Sequence, residues 1–323
     1  MHEPCDQAAA LKLFGVEGAT ASLIRHNENA IYDVRAQDAR YALRIHAPAP
    51  GFGALALCGA GSLERRRAET EMLCFLHESG LRVQKPVAGL NGETVQLLPE
   101  GTAASLLCWL AGESYDALWG DGDIPSDAAY AAGFAAGKLD ALMRAQTPRF
   151  IPRRPYYGGE ALTLVGQRLR EALDAGVLEK ERFEDMLAAL EVMDGRIAQA
   201  EAEDGLTVCH ADISSGNLIW DGKQAALIDF SLAGVASPHL DLAFLYANFT
   251  REGVRGEMRA GWEDGYGKRA QLWLAEPYYA LGILLFIALR YQAAKNWDWF
   301  AGAQDRWCRE VFRPLARGEA FLK

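Results

Sequence analysis

The sequence predicts an α+β protein of two lobes, a small antiparallel β lobe with one inserted helix over residues 1–110 and a larger helical lobe over residues 111–323. Three observations carry this. Alternating or β-branched runs are confined to the part of the chain before Gly112. Helical periodicity dominates after it, and one β segment, Leu206–Phe230, interrupts the helices.

A short helix is expected around Gln7–Phe14. Strands follow at Ala19–His26, Ala30–Arg35 and Tyr41–Ile45, separated by polar breaks at Asn27–Asn29 and Ala36–Ala39, as in an antiparallel meander. After the Gly-, Ala- and Pro-rich loop Pro48–Gly61, Ser62 is placed to cap a helix, and Gly80 sits where a C-terminal cap belongs. On that helix Glu69, Leu73 and Leu76 share one face by their i, i+4, i+7 spacing. Further strands are expected near Val83–Leu90 and Val95–Leu98, and a third apolar run covers Ala103–Leu110.

In the second lobe Ser126 is expected to cap a helix reaching Arg144, Glu160–Leu173 is amphipathic, and Glu179–Ala200 places Phe183, Leu187, Leu190 and Ile197 at helical spacing. Helices resume from His239. The most apolar stretch, Tyr278–Leu289, falls short of the ~20 residues that span a bilayer and reads as a buried helix.

A net charge of −10 argues against a nucleic-acid partner, which would call for clustered Lys and Arg. The six cysteines are dispersed without a C-x-x-C pair and read as reduced, small hydrophobes. The six histidines show no zinc-ligand spacing. Met1–Leu11 carries acidic residues and no long apolar run, unlike a signal peptide, so the expected location is the cytoplasm, with no membrane partner. Oligomeric state is not readable.

The chemistry concentrates in Thr207–Asp241. Apolar Thr207–Cys209 leads into the polar loop His210–Asn217. Then Leu218–Trp220 and Ala225–Ile228 flank Asp221-Gly222-Lys223-Gln224, a hairpin turn of Asp-Gly type. Folding that hairpin brings Asn217 and Asp229 opposite each other to within about a residue, on strands ~4.8 Å apart. A carboxamide oxygen and a carboxylate there suit Mg²⁺ on a nucleotide. Asp212 stands beside them as a proton acceptor for a hydroxyl nucleophile. His210, grouped with Asp212 in the catalytic loop, is assigned the supporting part of bracing it by hydrogen bonds.

This stretch resembles the aminoglycoside phosphotransferase and choline kinase superfamily, including the type II homoserine kinases, whose catalytic loop reads H-G-D-x-x-x-x-N and whose metal Asp sits in I-D-F or I-D-W. The resemblance implies a protein-kinase-like bilobal fold, ATP and Mg²⁺ as cofactors, and phosphoryl transfer to a small-molecule hydroxyl. It assigns Asp212 as catalytic base, Asn217 and Asp229 as metal ligands, and Asp241, in D-L-A-F, as the residue steadying the catalytic loop. In Y-A-L-R-I, Arg44 takes the third-strand place of the residue that holds the α- and β-phosphates, with Glu69 as its partner. N-E-N-A-I-Y resembles the family's N-x-x-Y turn and places Asn29 over the nucleotide. S-L-L-C-W-L-A-G-E resembles the hinge, where main-chain groups of Cys108, Trp109 and Leu110 meet adenine.

Two departures stand out. The G-x-G-x-x-G of protein kinases is lacking, and the Gly-rich Pro50–Gly61 contains no G-K-[ST], which excludes a P-loop NTPase. Ala211 replaces the usual Gly, which is tolerable if the backbone φ there is below zero, whereas a strained conformation would require Gly. Aromatic and acidic residues beyond the hinge (Glu113, Tyr115, Trp262, Glu263, Tyr278, Tyr291, Trp297 and Trp299) are candidates for the acceptor pocket. They favour a cationic acceptor such as an amino alcohol, a hydroxy amino acid or an aminoglycoside-like compound. A protein Ser/Thr kinase and a nucleotide-binding pseudokinase are the alternatives on the same fold.

Overall fold

A computed structural model describes residues 7–50, 63–120, 124–249 and 256–322. Helix α1 (Gln7–Leu13) leads into the meander β1 (Thr20–His26), β2 (Ala30–Arg35) and β3 (Arg40–Ile45), paired in register from Ala30↔Ile45 to Arg35↔Arg40. Helix α2 (Leu63–Glu78) follows. Its expected cap Ser62 and most of the preceding Gly-rich loop lie outside the described residues, while Gly80, at φ +76°, ends the helix in the left-handed conformation.

Strands β4 (Pro86–Val87), β5 (Val95–Leu97) and β6 (Ala103–Cys108) complete a six-stranded antiparallel sheet ordered β1-β2-β3-β6-β4, with β5 also on β6. The expected strand Val83–Leu90 shrinks to two residues because Val83 pairs instead with Leu227 of the other lobe. Alternation along β3 sets up the site. Leu43 and Ile45 enter a small core with Leu106 and Phe14, while Ala42 faces the opposite side with Met72 and Leu76 of α2. Arg44 shares the face of Ala42 and so points at α2.

The large lobe opens with β7 (Glu113–Ser114), α3 (Tyr115–Gly120), α4 (Ser126–Arg144) and the single turn α5 (Thr147–Phe150). Ser126 does not cap α4: Pro125 holds that position, with no side-chain bond to the helix. Next come α6 (Gly159–Asp174), α7 (Lys180–Asp204), β8 (Thr207–Cys209) and the hairpin β9 (Leu218–Trp220)–β10 (Ala225–Leu227). β11 (Gly234–Ala236) pairs with β8, and β7 pairs with β9. The chain ends in α8 (His239–Phe249), α9 (Gly256–Tyr266), α10 (Leu272–Ala294), α11 (Phe300–Trp307), a π-helical turn and α12 (Arg313–Ala316).

α10 is longer than the apolar stretch expected there. Its 23 residues, with mean hydropathy 1.7 in the most apolar window, suffice by length and composition to cross a membrane. Yet 67% of that window is buried, on the face packed against α6, α7 and α8, so it is a core helix. Among the described residues, four cysteines are free and no cluster of three metal-ligating side chains occurs.

Candidate active site

Two cavities meet at the foot of the β9–β10 hairpin. One, of about 240 Å³, lies under the sheet and is lined by Ile31, Ala42, Leu107, Trp109, Leu110 and Ile228. The other, of about 510 Å³, opens toward α10 and is lined by Asp116, Asp212, Ser215, Phe286, Arg290 and Trp297 among others. Arg25, Gly216, Asn217 and Asp229 line both.

The hairpin pairs Leu218 with Leu227, and the N–H of Ile228 donates to the carbonyl of Asn217 at 3.0 Å. Asp229 therefore stands one residue beyond the partner of Asn217. The Asn217 amide donates to the carbonyl and to Oδ2 of Asp212, at 2.9 and 2.8 Å, so its oxygen is what it can offer a cation. Asp229 Oδ1 is buried without a hydrogen bond, 3.2 Å from Nη2 of Arg44. Its Oδ2 receives Nη2 of Arg25, also at 3.2 Å. A carboxamide oxygen and an incompletely satisfied carboxylate at the seam of the two cavities fit a divalent cation.

Arg44 is buried and donates to Glu69 Oε1 at 2.5 Å. Burial alone would raise the Asp229 carboxyl, but Arg44 and Arg25 outweigh it and hold it down to about 2. Asp212 shows the opposite balance. Burial, helped by the neighbouring Asp229 charge and opposed by Arg290, pushes it up to about 7. A carboxyl poised near neutrality in a cleft is suited to exchanging a proton.

His210 is a brace. Its Nε2 faces the Ile228 carbonyl at 2.9 Å and must carry the hydrogen, leaving Nδ1 to accept the N–H of Asp212 at 3.3 Å. Burial lowers its pKa to about 4, so the ring stays neutral. The Asp241 carboxylate, at the start of α8, accepts the N–H groups of His210 and Ala211 at 2.8 and 2.9 Å. Ala211 does not meet the condition of a negative φ: it stands at +63°, where a Cβ costs roughly 1–2 kcal/mol. Asp229 shares that φ of +63°.

The other sequence-derived candidates divide between the cavity walls and positions away from them. Asn29 turns away from both cavities and bonds through Oδ1 to His46 at 3.0 Å; the cleft is lined instead by its neighbours Asn27 and Glu28. In the hinge, the N–H groups of Cys108 and Trp109 are already spent on the carbonyls of Lys85 and Arg40. Trp109 and Leu110 line the smaller cavity, and the Arg40 guanidinium lies 3.6 Å over the Trp109 ring. Of the acceptor-pocket candidates, Trp297 lines the larger cavity, backed by Trp299 stacked at 5.4 Å. Tyr115, Trp262 and Tyr278 are core residues. Trp262 is held against α4, where a Cβ on Gly133 would come within 1.9 Å of its carbonyl oxygen.

The structure also supplies residues that carried no sequence signal. Arg25 is the penultimate residue of β1 and would ordinarily be solvated. Asp116, which accepts a hydrogen bond from the Ser215 hydroxyl, belongs to no spaced motif. Arg290 of α10 pairs with Glu28, in the β1–β2 turn, at 2.6 Å across the mouth of the larger cavity.

Known proteins resemble this chain in sequence and in fold. The profile of one family, described as a phosphotransferase enzyme family, matches residues 20–278. Amicoumacin kinase of Bacillus subtilis (strain 168) is 22% identical over 312 residues, covering 90% of this chain and 85% of its own. Among solved structures, a microcompartment-associated aminopropanol kinase superposes with a TM-score of 0.74 at 17% identity, covering 98% of this chain and 99% of that one. An amicoumacin kinase bound to AMP-PNP and Ca²⁺ gives 0.70 at 18% identity, covering 97% and 92%.

Proposed function

Since the chain belongs to the phosphotransferase enzyme family, we propose that it is a cytoplasmic kinase moving the γ-phosphoryl group of ATP to a hydroxyl of a small, amine-bearing molecule. One observation carries the reading: Asn217 and Asp229 line both cavities, while Asp212 lines only the larger. The nucleotide belongs in the smaller, apolar cavity under the sheet and the acceptor in the larger, polar one. Their reacting ends meet at the hairpin foot.

Asn217 and Asp229 would hold Mg²⁺, which supplies charge neutralisation for the phosphates when bound. Arg44, fixed by Glu69, and Arg25 face the same seam and are positioned for phosphate oxygens. With the Cys108 and Trp109 N–H groups committed, these two residues can offer adenine their carbonyl oxygens, and an N–H donor for the ring comes from Leu110 or beyond. The acceptor oxygen attacks phosphorus as the bond to the ADP oxygen breaks, and its proton passes to the Asp212 carboxylate. His210 and Asp241 do not react; they fix the loop that presents Asp212.

The amine-bearing acceptor follows from the wall of the larger cavity. Arg290 is neutralised by Glu28 and lies 5.1 Å over the Phe286 ring, leaving Asp116 and Asp212 as acidic groups in a cavity that Trp297 also lines, a setting for an ammonium. An ATP-consumption assay over 1-amino-2-propanol, choline, homoserine and an aminoglycoside tests this. Turnover of at least one amine-bearing alcohol is expected, lowered about 10²-fold or more by Asp212→Ala. Transfer confined to neutral or anionic alcohols, or to protein, overturns the acceptor assignment.

A further inference from the structure

We propose that Arg154 is a positioning residue for phosphoryl transfer, fixing the backbone that carries Asp229 and coupling it to the helix that carries Glu69. The proposal rests on the reading of Asp229 as the metal carboxylate. Arg154 lies outside every motif in the sequence and outside both cavities, in the connection between α5 and α6.

Its guanidinium is buried and makes four hydrogen bonds, all to main-chain oxygens. Nε donates to Ala233 at 2.6 Å, and Nη2 donates to Phe230 and Ser231, each at 2.9 Å. Nη1 reaches the carbonyl of Arg65, on α2, at 3.2 Å. Three of the four acceptors thus fall within four residues after Asp229, and the fourth sits one turn before Glu69. An arginine cannot shed its charge, and its planar fork fixes the directions of its bonds. Any shift of those carbonyls would leave a buried cation unsatisfied.

The neighbours of Arg154 reinforce the hold. The Pro155 carbonyl accepts the N–H of Val235 at 2.8 Å, and the Tyr157 hydroxyl donates to Leu232 at 2.5 Å. Gly234 passes so close that a Cβ there would lie 2.5 Å from the Pro155 oxygen. On the other side, Arg153 pairs with Glu64 and Glu71 of α2 at 2.9 and 2.8 Å. Asp229 needs such a hold, because its φ of +63° is one that a non-glycine residue keeps only when its surroundings impose it. The same guanidinium therefore sets both the carboxylate between the cavities and the helix whose Glu69 aims Arg44.

Calorimetric titration of AMP-PNP at a series of MgCl₂ concentrations tests this without any acceptor. Arg154→Lys keeps the charge but cannot span both sides, and is expected to raise the MgCl₂ needed for half-maximal affinity at least fivefold. Arg168→Gln, which breaks only a pair with Glu171 on α6, is expected to leave that requirement within twofold of wild type. A general structural defect would instead lower the unfolding temperature and leave the metal requirement alone. A folded Arg154→Lys protein with the wild-type requirement overturns the proposal. If Arg154→Lys does not fold, Tyr157→Phe is expected to raise the requirement at least twofold, and no rise there overturns it equally. Asp229→Asn separates the two readings, since an unchanged requirement in that variant removes the metal assignment itself.

Discussion

Asp241 Oδ1 accepts the backbone N–H of Ala211 at 2.9 Å and so helps hold an alanine in the left-handed region, at φ +63°. The adjoining bond from His210 to Oδ2 makes the grip two-pronged. Ala211→Gly removes the Cβ penalty without touching either bond, and stability is expected to rise by about 1 kcal/mol. Denaturant midpoints at constant m-value measure this. Ala211→Val, β-branched at the same φ, is expected to move the midpoint the other way, and the assignment fails if both variants shift it in one direction.

Asp212 should reveal itself by pH. With both substrates far below saturation the rate reports the free enzyme, in which burial and Asp229 push this carboxyl up to about 7. In the proposed role of base Asp212 acts ionised, so the rate is expected to rise through about pH 7 and to fall about tenfold per unit below it. The sign for stability is opposite. A carboxyl raised on folding favours the proton-bound folded state, so its contribution is greatest at low pH and is lost as pH climbs from about 4 to about 7. Arg290→Met removes the cation that opposes the shift and leaves the Glu28 charge uncompensated. The midpoint of the rate profile is expected to move upward in that variant, and a profile unchanged by it would dissociate Arg290 from the site.

Asp116 tests the acceptor side. Asp116→Asn preserves shape and a hydrogen-bonding oxygen for Ser215 but deletes the charge. The KM of an amine-bearing acceptor is expected to rise about tenfold, some 1.4 kcal/mol, with kcat and the KM for ATP within threefold of wild type. Equal loss for charged and uncharged acceptors would show that the carboxylate serves the loop rather than the ligand.

Much of this was readable beforehand, for identifiable reasons. The i, i+4, i+7 face of Glu69, Leu73 and Leu76 is regular enough to orient α2, and strand alternation sends Arg44 to meet it. The Asp221-Gly222 turn fixes the hairpin register, and with it the Asn217–Asp229 proximity. What escaped has equally plain causes. β7 and β11 are two and three residues long, too short to show a period. Asn29 sits in a turn whose side-chain direction depends on His46, just past the end of β3. An aromatic at helical spacing looks alike whether it faces a cleft, as Trp297 does, or fills the core, as Trp262 and Tyr278 do. Arg25, Asp116 and Arg290 act through neighbours 99 to 262 positions away in sequence, which no local pattern encodes.

The length and apolarity of α10 bear on how the protein is handled. The buried 67% of its most apolar window is shielded while α6, α7 and α8 stay packed around it. Once heat releases those partners, a segment greasy enough for a lipid bilayer meets water, and chain–chain association outruns refolding. Melting is therefore expected to be irreversible, with an apparent midpoint that climbs with scan rate. Shelf life will then be governed by how fast the lobe opens, and a nucleotide that slows that opening will preserve the protein.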